Sequence, residues 1–261
     1  MTTQLAVERL GKSAIVALNN PPANLWTPEA LQGFAETLRS LTEEDAVRSV
    51  VLTGAGESFF SAGADLRHLE NASRQEAEAF LEAFQAAHHA LRSFRGVTVA
   101  AVNGFALGAG LEWALACDYI VAERGAQLGF PEGRVGLVPA AGGTHLLPRR
   151  VGVAWAKRMI LGGEMVRAER ALAIGLIEEL VEPGFSKIVA LSLANKVAQQ
   201  APAAVATARR LIEDSPLHSL EKHLSAEREA VLSLMGQAEA REGIRAFLDK
   251  RNPAWNPEED D

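Results

Sequence analysis

The stretch VTVAAVNGFALGAGLEWALAC, residues 97–117, decides the fold class of this chain. Val97 to Val102 is a short run of β-branched and small apolar residues, which predicts a buried strand. A glycine-rich segment, Gly104 to Gly110, follows it. A helix is expected to begin near Ala109 and to run to about Cys117. A strand that passes through a tight turn into a helix is typical of a parallel sheet built from βαβ units.

The segments on either side repeat this alternation of strands and helices. Residues 4–9 and 13–18 alternate around Gly11-Lys12 and predict a β-hairpin. The cap-like sequence Thr27-Pro28-Glu29 predicts a helix that runs to about Ser40. Further elements are expected as a strand over Val47 to Thr53, a helix over 74–95 and a strand over Tyr119 to Ala122. The fold class is therefore α/β.

The last third of the sequence has a different character. From about Phe185 onward the pattern is helical, with breaks at Ala201-Pro202, Ser215-Pro216 and Gly236, and no strand is expected after Val181. We therefore divide the chain into a core over residues 1–195 and a helical region over 196–261. The acidic end, Glu258 to Asp261, is expected to fray.

The helical region carries apolar residues at helical spacing, which an isolated subunit would expose. This pattern predicts a trimer or hexamer. The residues concerned are Leu220, Leu224, Val231 and Leu234.

Composition narrows the classes of function. The 261 residues are 48% hydrophobic and carry a net charge of −7, without a basic stripe, so nucleic-acid binding is disfavoured. No stretch is long and apolar enough for a membrane span, and the N-terminal residues do not resemble a leader. The single cysteine, Cys117, lies in an apolar run, where a buried structural role is expected and no internal disulfide is possible. These features predict a cytoplasmic protein.

The glycine-rich segment has the spacing G-x-x-x-G-x-G, from Gly104 through Gly108 to Gly110. This spacing is neither the dinucleotide fingerprint nor a P-loop. A tight turn alone would explain the glycines. Alternatively, small residues at a helix start leave backbone N–H groups open to a developing oxyanion.

Two glutamates stand in otherwise apolar motifs. Glu112 lies in the first turn of the predicted helix, and Glu132 follows in a loop, 132 − 112 = 20 residues later. A carboxylate at a helix start can simply complement the helix dipole. Paired carboxylates in an apolar pocket suit acid–base chemistry instead, because burial and mutual repulsion separate their pKa values.

No other side chains form a recognisable catalytic or metal-binding set. The histidines lack the spacing of metal ligands, and no nucleophile elbow is present. A surface or capping role is the interpretation for each of them, namely His68, His88, His89, His145, His218 and His223.

Several motifs occur in order along nearly the whole chain and resemble the crotonase superfamily, the enoyl-CoA hydratases and isomerases. They are Ser61 to Leu66, Ala101 to Glu112, Cys117-Asp118, Phe130 to Glu132, Gly136 to Thr144 and Glu242 to Arg251. The resemblance implies a ββα spiral core and a C-terminal helical trimerisation region, assembled as a homotrimer or as a dimer of trimers.

The resemblance also implies site residues. The backbone N–H groups of Ala64 and Ala109 would form an oxyanion hole for the thioester carbonyl, although family members often have glycine at position 109. Lys250 would reach a phosphate of coenzyme A from an adjacent subunit. The implied substrate contacts are Ala62, Ala64, Asp65, Leu66, Arg67, Gly108, Ala109, Pro131, Leu137 and Lys250.

Hydratases of this family carry glutamates at both positions found here. The resemblance therefore implies syn addition of water to a 2-enoyl-CoA thioester, giving a 3-hydroxyacyl-CoA. Glu112 would take a proton from water and Glu132 would give one to C2. No metal or separate cofactor is expected, because backbone donors polarise the carbonyl and coenzyme A is part of the substrate.

Alternatives remain open. They are a Δ3,Δ2-enoyl-CoA isomerase in which Glu132 shuttles the proton, another crotonase-type reaction, and a non-enzymatic relative of the kind that binds RNA. Leu69, Trp113 and Leu137 are expected to line the acyl pocket, whose chain length the sequence leaves undetermined.

Overall fold

A computed structural model of the protein describes residues 4–256, so the acidic end lies outside the described residues. The chain divides into two compact units, Met1–Ala194 and Asn195–Asp261. The boundary expected after residue 195 lies one residue from this division. The roles assigned to the two units, catalysis and oligomerisation, stay predictions.

The first unit contains two sheets. The strands in chain order are β1 (Leu5–Leu10), β2 (Ser13–Leu18), β3 (Ser49–Gly54), β4 (Phe59–Ser61), β5 (Val97–Val102), β6 (Phe105–Leu107), β7 (Tyr119–Glu123), β8 (Gln127–Gly129), β9 (Val166–Arg167) and β10 (Glu179–Val181). The larger sheet has the order β1-β2-β3-β5-β7-β10. Its first pair is the expected antiparallel hairpin, and its other pairs are parallel.

The smaller sheet, of order β4-β6-β8-β9, was not expected from the sequence. Its strands have only two or three residues, too few for a period-two pattern to stand out. β4, β6 and β8 each follow a strand of the larger sheet after a short connection. Glycine is needed at one of these bends, because a Cβ at Gly54 would lie 2.2 Å from the carbonyl oxygen of Phe59.

The helices that lie wholly in the first compact unit are α1 (Pro28–Glu43), α2 (Arg74–Arg92), α3 (Ala109–Ala116), α4 (Gly143–Ile160) and α5 (Ala168–Ala173). Three of them complete ββα motifs, which are β3-β4-α2, β5-β6-α3 and β7-β8-α4. The predicted start of α1 is confirmed, since Thr27 Oγ1 accepts a hydrogen bond from the Ala30 N–H at 3.2 Å. Its end lies at Glu43 rather than Ser40.

A side chain ties together the carboxyl ends of two neighbouring strands of the larger sheet. The Asn103 amide, just after β5, donates to the carbonyl oxygens of Gly54 at 3.1 Å and Gly56 at 2.8 Å. It also accepts from the Gly54 N–H at 3.3 Å. Because these bonds hold the bends after β3 and β5 side by side, β4 and β6 pair, and the segments that follow them lie close together.

The core beneath these segments is aromatic. Trp113 on the fully buried helix α3 packs against Trp26 at 5.1 Å and Phe34 at 5.5 Å between ring centroids. The expectation that Trp113 lines the acyl pocket is therefore wrong, because its indole faces the core. Cys117, at the end of α3, is buried as a small apolar residue, as expected.

The second unit is helical throughout its described part, and its segments break where the sequence predicted. The helices are α6 (Ser186–Ala198), which begins in the first unit, then α7 (Pro202–Asp214), α8 (Leu220–Met235) and α9 (Ala238–Leu248). Leu220, Leu224 and Val231 are exposed on α8, whereas Leu234 is half-buried. Within residues 4–256, no helix is long and apolar enough to cross a membrane.

Candidate active site

Glu112 is held in the first turn of α3 with its carboxylate buried. Only 2% of the residue is exposed. Its Oε1 accepts hydrogen bonds from the backbone N–H groups of Ala141 at 2.8 Å and Gly143 at 2.7 Å. Burial raises the pKa of Glu112, and these N–H donors counteract that rise by favouring the ionised form. The carboxylate is therefore fixed in place by backbone donors.

Glycine is required at one of those donors. A Cβ at Gly143 would stand 3.0 Å from Glu112 Oε1 and 2.8 Å from the ring of Phe130. Gly143 belongs to the motif Gly136 to Thr144, for which no function was predicted from the sequence. Backbone donors leave no side-chain signature, so only the glycine pair Gly142-Gly143 could have indicated the close approach.

Glu132 has a different environment. It is the first residue of a 3₁₀ turn, Glu132–Val135, where a loop was expected. Its Oε2 is buried and has no hydrogen-bond partner among the described residues. Burial, with a further contribution from the charge of Glu112, raises the pKa of Glu132 to about 7. At neutral pH this carboxyl group is poised to hold or release a proton.

Gly108 adjoins both glutamates. The Glu112 N–H donates to the Gly108 carbonyl oxygen at 3.0 Å. A Cβ at Gly108 would stand only 2.8 Å from Glu132 Oε1, and this glycine has a positive φ of 52°. The sequence suggested paired carboxylates in an apolar pocket, and the structure places both on the wall of the same cavity.

The two predicted oxyanion-hole donors lie beside the glutamates. Ala109 is the first residue of α3, where a backbone N–H has no acceptor within the helix. A Cβ at Gly63 would be 3.4 Å from the Ala109 nitrogen, so the segment containing Ala64 approaches the start of α3 closely. No hydrogen bond runs from the Ala64 or Ala109 N–H to another described residue.

Local bonds fix the backbone around Ala64. Ala64 forms a parallel bridge with Trp26, and the neighbouring Asp65 N–H donates to the Trp26 carbonyl oxygen at 2.9 Å. The Asp65 carboxylate is buried and accepts from Arg67 Nε at 2.8 Å and from its guanidinium NH2 at 2.6 Å. Hydrogen bonds from Arg67 lower the pKa of Asp65. Asp65 thus anchors the turn that follows Ala64.

The cavity beside these groups has a volume of about 460 Å³. Seven of the predicted substrate contacts line it. They are Ala62, Ala64, Leu66, Gly108, Ala109, Pro131 and Leu137. Asp65 and Arg67 do not line it, and Arg67 borders a separate hollow beside Pro28. Lys250 lies in the second unit and is exposed. Contacts of Asp65, Arg67 and Lys250 with coenzyme A stay predictions.

The surface or capping role expected for every histidine is wrong for His88. This residue on α2 is half-buried, its Nε2 has no partner among the described residues, and burial lowers its pKa to about 4. His218 and His223 in the second unit are also half-buried, and His223 lies 3.6 Å from Glu227 on its own helix.

The model of the enoyl-CoA hydratase/isomerase family matches residues 11–258. The chain belongs to the enoyl-CoA hydratase/isomerase family. This membership confirms the resemblance stated from the motifs, and the structural neighbours confirm the crotonase-like α/β fold.

Individual proteins are similar to the chain over almost their full length. The structure of Pseudomonas aeruginosa DspI has 46% identity and a TM-score of 0.93, with 97% of each chain covered. The short-chain-enoyl-CoA hydratase of Clostridium acetobutylicum is 34% identical, with 94% of each chain covered. The 2,3-dehydroadipyl-CoA hydratase of Escherichia coli is 35% identical, covering 96% of this chain and 98% of its own.

Proposed function

We propose that the protein is an enoyl-CoA hydratase, which adds water across the 2,3-double bond of an acyl-CoA thioester. The observation that carries this proposal is the pair Glu112 and Glu132 on one apolar cavity. Beside them are two backbone donors, at Ala64 and Ala109, that bond to no other described residue. Family membership makes the substrate an acyl-CoA thioester.

The first step is polarisation of the thioester. In this proposal the carbonyl oxygen accepts hydrogen bonds from the N–H groups of Ala64 and Ala109. Negative charge grows on that oxygen as a nucleophile adds at C3, and fixed donors hold the charged form more tightly than the ground state. These residues therefore lower the barrier through their backbone, and coenzyme A enters as part of the substrate rather than as a cofactor.

The second step is proton transfer. Glu112, ionised, takes a proton from the water that bonds to C3, and Glu132, protonated, gives its proton to C2. The assignment follows from their surroundings. Two N–H donors favour charge on Glu112, whereas Glu132 Oε2 accepts no hydrogen bond from a described residue. After product release, one proton passes from Glu112 to Glu132 or through solvent, which restores the starting state.

The competing activity is a Δ3,Δ2-enoyl-CoA isomerase in which Glu132 shuttles a proton between C2 and C4 and Glu112 only assists. The experiment incubates the purified protein with matched 2-enoyl-CoA and 3-enoyl-CoA thioesters in ¹⁸O-labelled water. We expect a 3-hydroxyacyl-CoA from the 2-enoyl thioester, with one labelled oxygen at C3. Isomerisation of the 3-enoyl thioester without any hydration of the 2-enoyl thioester would overturn the proposal.

The proposal includes a cytoplasmic homotrimer or dimer of trimers. The exposed apolar side chains of Leu220, Leu224 and Val231 support assembly, because contiguous apolar surface is rarely left open on a monomer. In the assembly Lys250 contacts a phosphate of coenzyme A held by a neighbouring subunit. Sedimentation at micromolar concentration should give a trimer or hexamer, and a clean monomer would contradict this part of the proposal.

A further inference from the structure

The wall of the active-site cavity away from the glutamates is built from apolar side chains. Helix α2 contributes residues at three- and four-residue spacing, and the end of the 3₁₀ turn and the segment that follows it contribute the others. These residues are Ala77, Phe80, Leu81, Phe84, Val135, Leu137 and Val138. None of them takes part in the proposed chemistry, so their common feature is the surface they offer to an acyl chain.

Part of this wall is rigid. Phe80 and Phe84 are buried, and their ring centroids lie 5.1 Å apart. Phe84 also stacks on the core residue Trp113, with 6.0 Å between centroids and 15° between planes. Two aromatic rings that are braced in this way cannot swing aside without disturbing the core. They form a fixed floor.

The rest of the wall is exposed apolar surface. Leu81, Leu137 and Val138 are 40%, 43% and 71% exposed although they face the same cavity. Clustered exposed apolar side chains of this kind mark a surface that a ligand covers. The only cation among the described lining residues is Arg134, which is exposed on the 3₁₀ turn, so the groove offers little to a charged tail.

We propose that this groove selects straight, uncharged 2-enoyl chains of medium length, with Leu81, Leu137 and Val138 as the specificity-determining residues. The inference rests on the proposed function and names its substrate class. The cavity of about 460 Å³ is roughly fifteen times the volume of about 30 Å³ that one water molecule takes up in the liquid. It therefore has room for a chain several carbon atoms longer than crotonyl.

A shorter chain would leave the wall uncovered. The crotonyl group has a single methyl beyond C3, so it offers only one apolar carbon atom to this wall. Each fully buried methylene contributes about 0.8 kcal/mol, which corresponds to about fourfold in kcat/KM. Because the groove is open on one side, only part of this gain is realised. We expect kcat/KM to rise at least about tenfold from crotonyl to 2-octenoyl thioester.

The test measures hydration of crotonyl, 2-hexenoyl, 2-octenoyl, 2-decenoyl and 2-dodecenoyl thioesters by the full-length protein. A maximum at medium length supports the inference. Crotonyl thioester hydrated as well as the longer substrates would overturn it while leaving the hydratase function intact. Failure to hydrate any 2-enoyl thioester would instead remove the proposed function, so the two failures are distinguishable.

Paired variants locate the selectivity. Leu81→Ser should lower the octenoyl-to-crotonyl ratio of kcat/KM by about three- to tenfold, because a polar side chain replaces part of the covered wall. Leu172→Ser is the matched control, since Leu172 is 42% exposed on α5 and does not line the cavity. A ratio measured on one preparation is independent of the folded fraction. Equal ratios in the two variants would overturn the role of Leu81.

A charged tail tests the other half of the inference. A 2,3-dehydroadipyl thioester has a carboxylate where 2-hexenoyl thioester ends in a methyl group. We expect its kcat/KM to be at least about tenfold lower, because the groove would desolvate the carboxylate beside apolar side chains. Equal or faster hydration of the carboxylated substrate would overturn the claim of an uncharged chain and would direct attention to Arg134.

Discussion

Glu112 and Glu132 are the same residue type on one cavity wall, yet their environments differ. Glu112 lies in the first turn of α3, and its carboxylate is fixed by the backbone N–H groups of Ala141 and Gly143, at the start of α4. Glu132 lies in a short 3₁₀ turn, has a buried oxygen without a described partner, and burial raises its pKa to about 7. Backbone donors at one acid and burial without such donors at the other therefore favour different protonation states of the same side chain.

The largest expected effect comes from removing either carboxyl group. Glu112→Gln and Glu132→Gln should each lower kcat by about 10²–10⁴-fold, the usual range for a lost general acid or base. The amide keeps the shape of the side chain, so binding of the thioester, measured by calorimetry, should change little. If the Glu112→Gln enzyme hydrates its substrate at the normal rate, the two-carboxylate mechanism is wrong. The isomerase would then be the favoured activity.

The second-largest expected effect concerns the proposed oxyanion hole, which lies beside Glu112 and Glu132. Ala109→Pro removes one N–H donor at the first helical position, where proline is well tolerated. Loss of one such donor should lower kcat by about 10²–10³-fold. Ala109→Gly retains the donor and serves as the control, with only a small loss expected from added flexibility.

Circular dichroism and binding of free coenzyme A establish that the Ala109→Pro protein is folded. A folded Ala109→Pro enzyme with near-normal hydration would place the oxyanion hole elsewhere. The Gly108-Ala109-Gly110 segment would then be a tight turn without a role in binding charge.

A smaller effect appears in stability. The pKa of Glu132 is raised in the folded protein, so folding favours its protonated form. The contribution of this group to the free energy of unfolding is complete below about pH 4.5 and is lost as the pH rises through about 7. Glu132→Gln mimics the protonated form and should raise Tm at pH 8 more than at pH 5. The gain from Glu112→Gln should be smaller, because two N–H donors lose a charged acceptor there. An equal increase in Tm in both variants would contradict the difference in environment between Glu112 and Glu132.

Most of the fold was predictable because its longer elements carry clear patterns. The run from Val97 to Val102, the capped start at Thr27 and the proline breaks at 202 and 216 each identify an element. The smaller sheet was not predictable, since its two- and three-residue strands are defined by pairing partners that are distant in the chain. Trp113 was misplaced for a related reason, because α3 is buried on every side and its composition does not show which face meets the cavity.

The acidic side chains of the candidate site could be predicted from the sequence, whereas the backbone N–H donors that hold one of them could not. Glu112 and Glu132 were found because acids interrupt apolar motifs, and both line the cavity. The N–H donors at Ala141 and Gly143 were missed, since any residue other than proline supplies such a donor. The side of α2 that lines the cavity was also missed, because helical periodicity alone does not separate a face that packs on the core from one that lines a cavity.

The pH dependence of kcat/KM for hydration tests the central claim, that Glu132 is the proton donor and Glu112 the base, most directly. This parameter reports the pKa values of the free enzyme. With the pKa of Glu132 at about 7, the account predicts that kcat/KM falls about tenfold per pH unit above that value. In Glu132→Gln the residual rate should lack this decline. A flat profile in the unmodified enzyme, or a decline that persists in Glu132→Gln, would contradict the assignment.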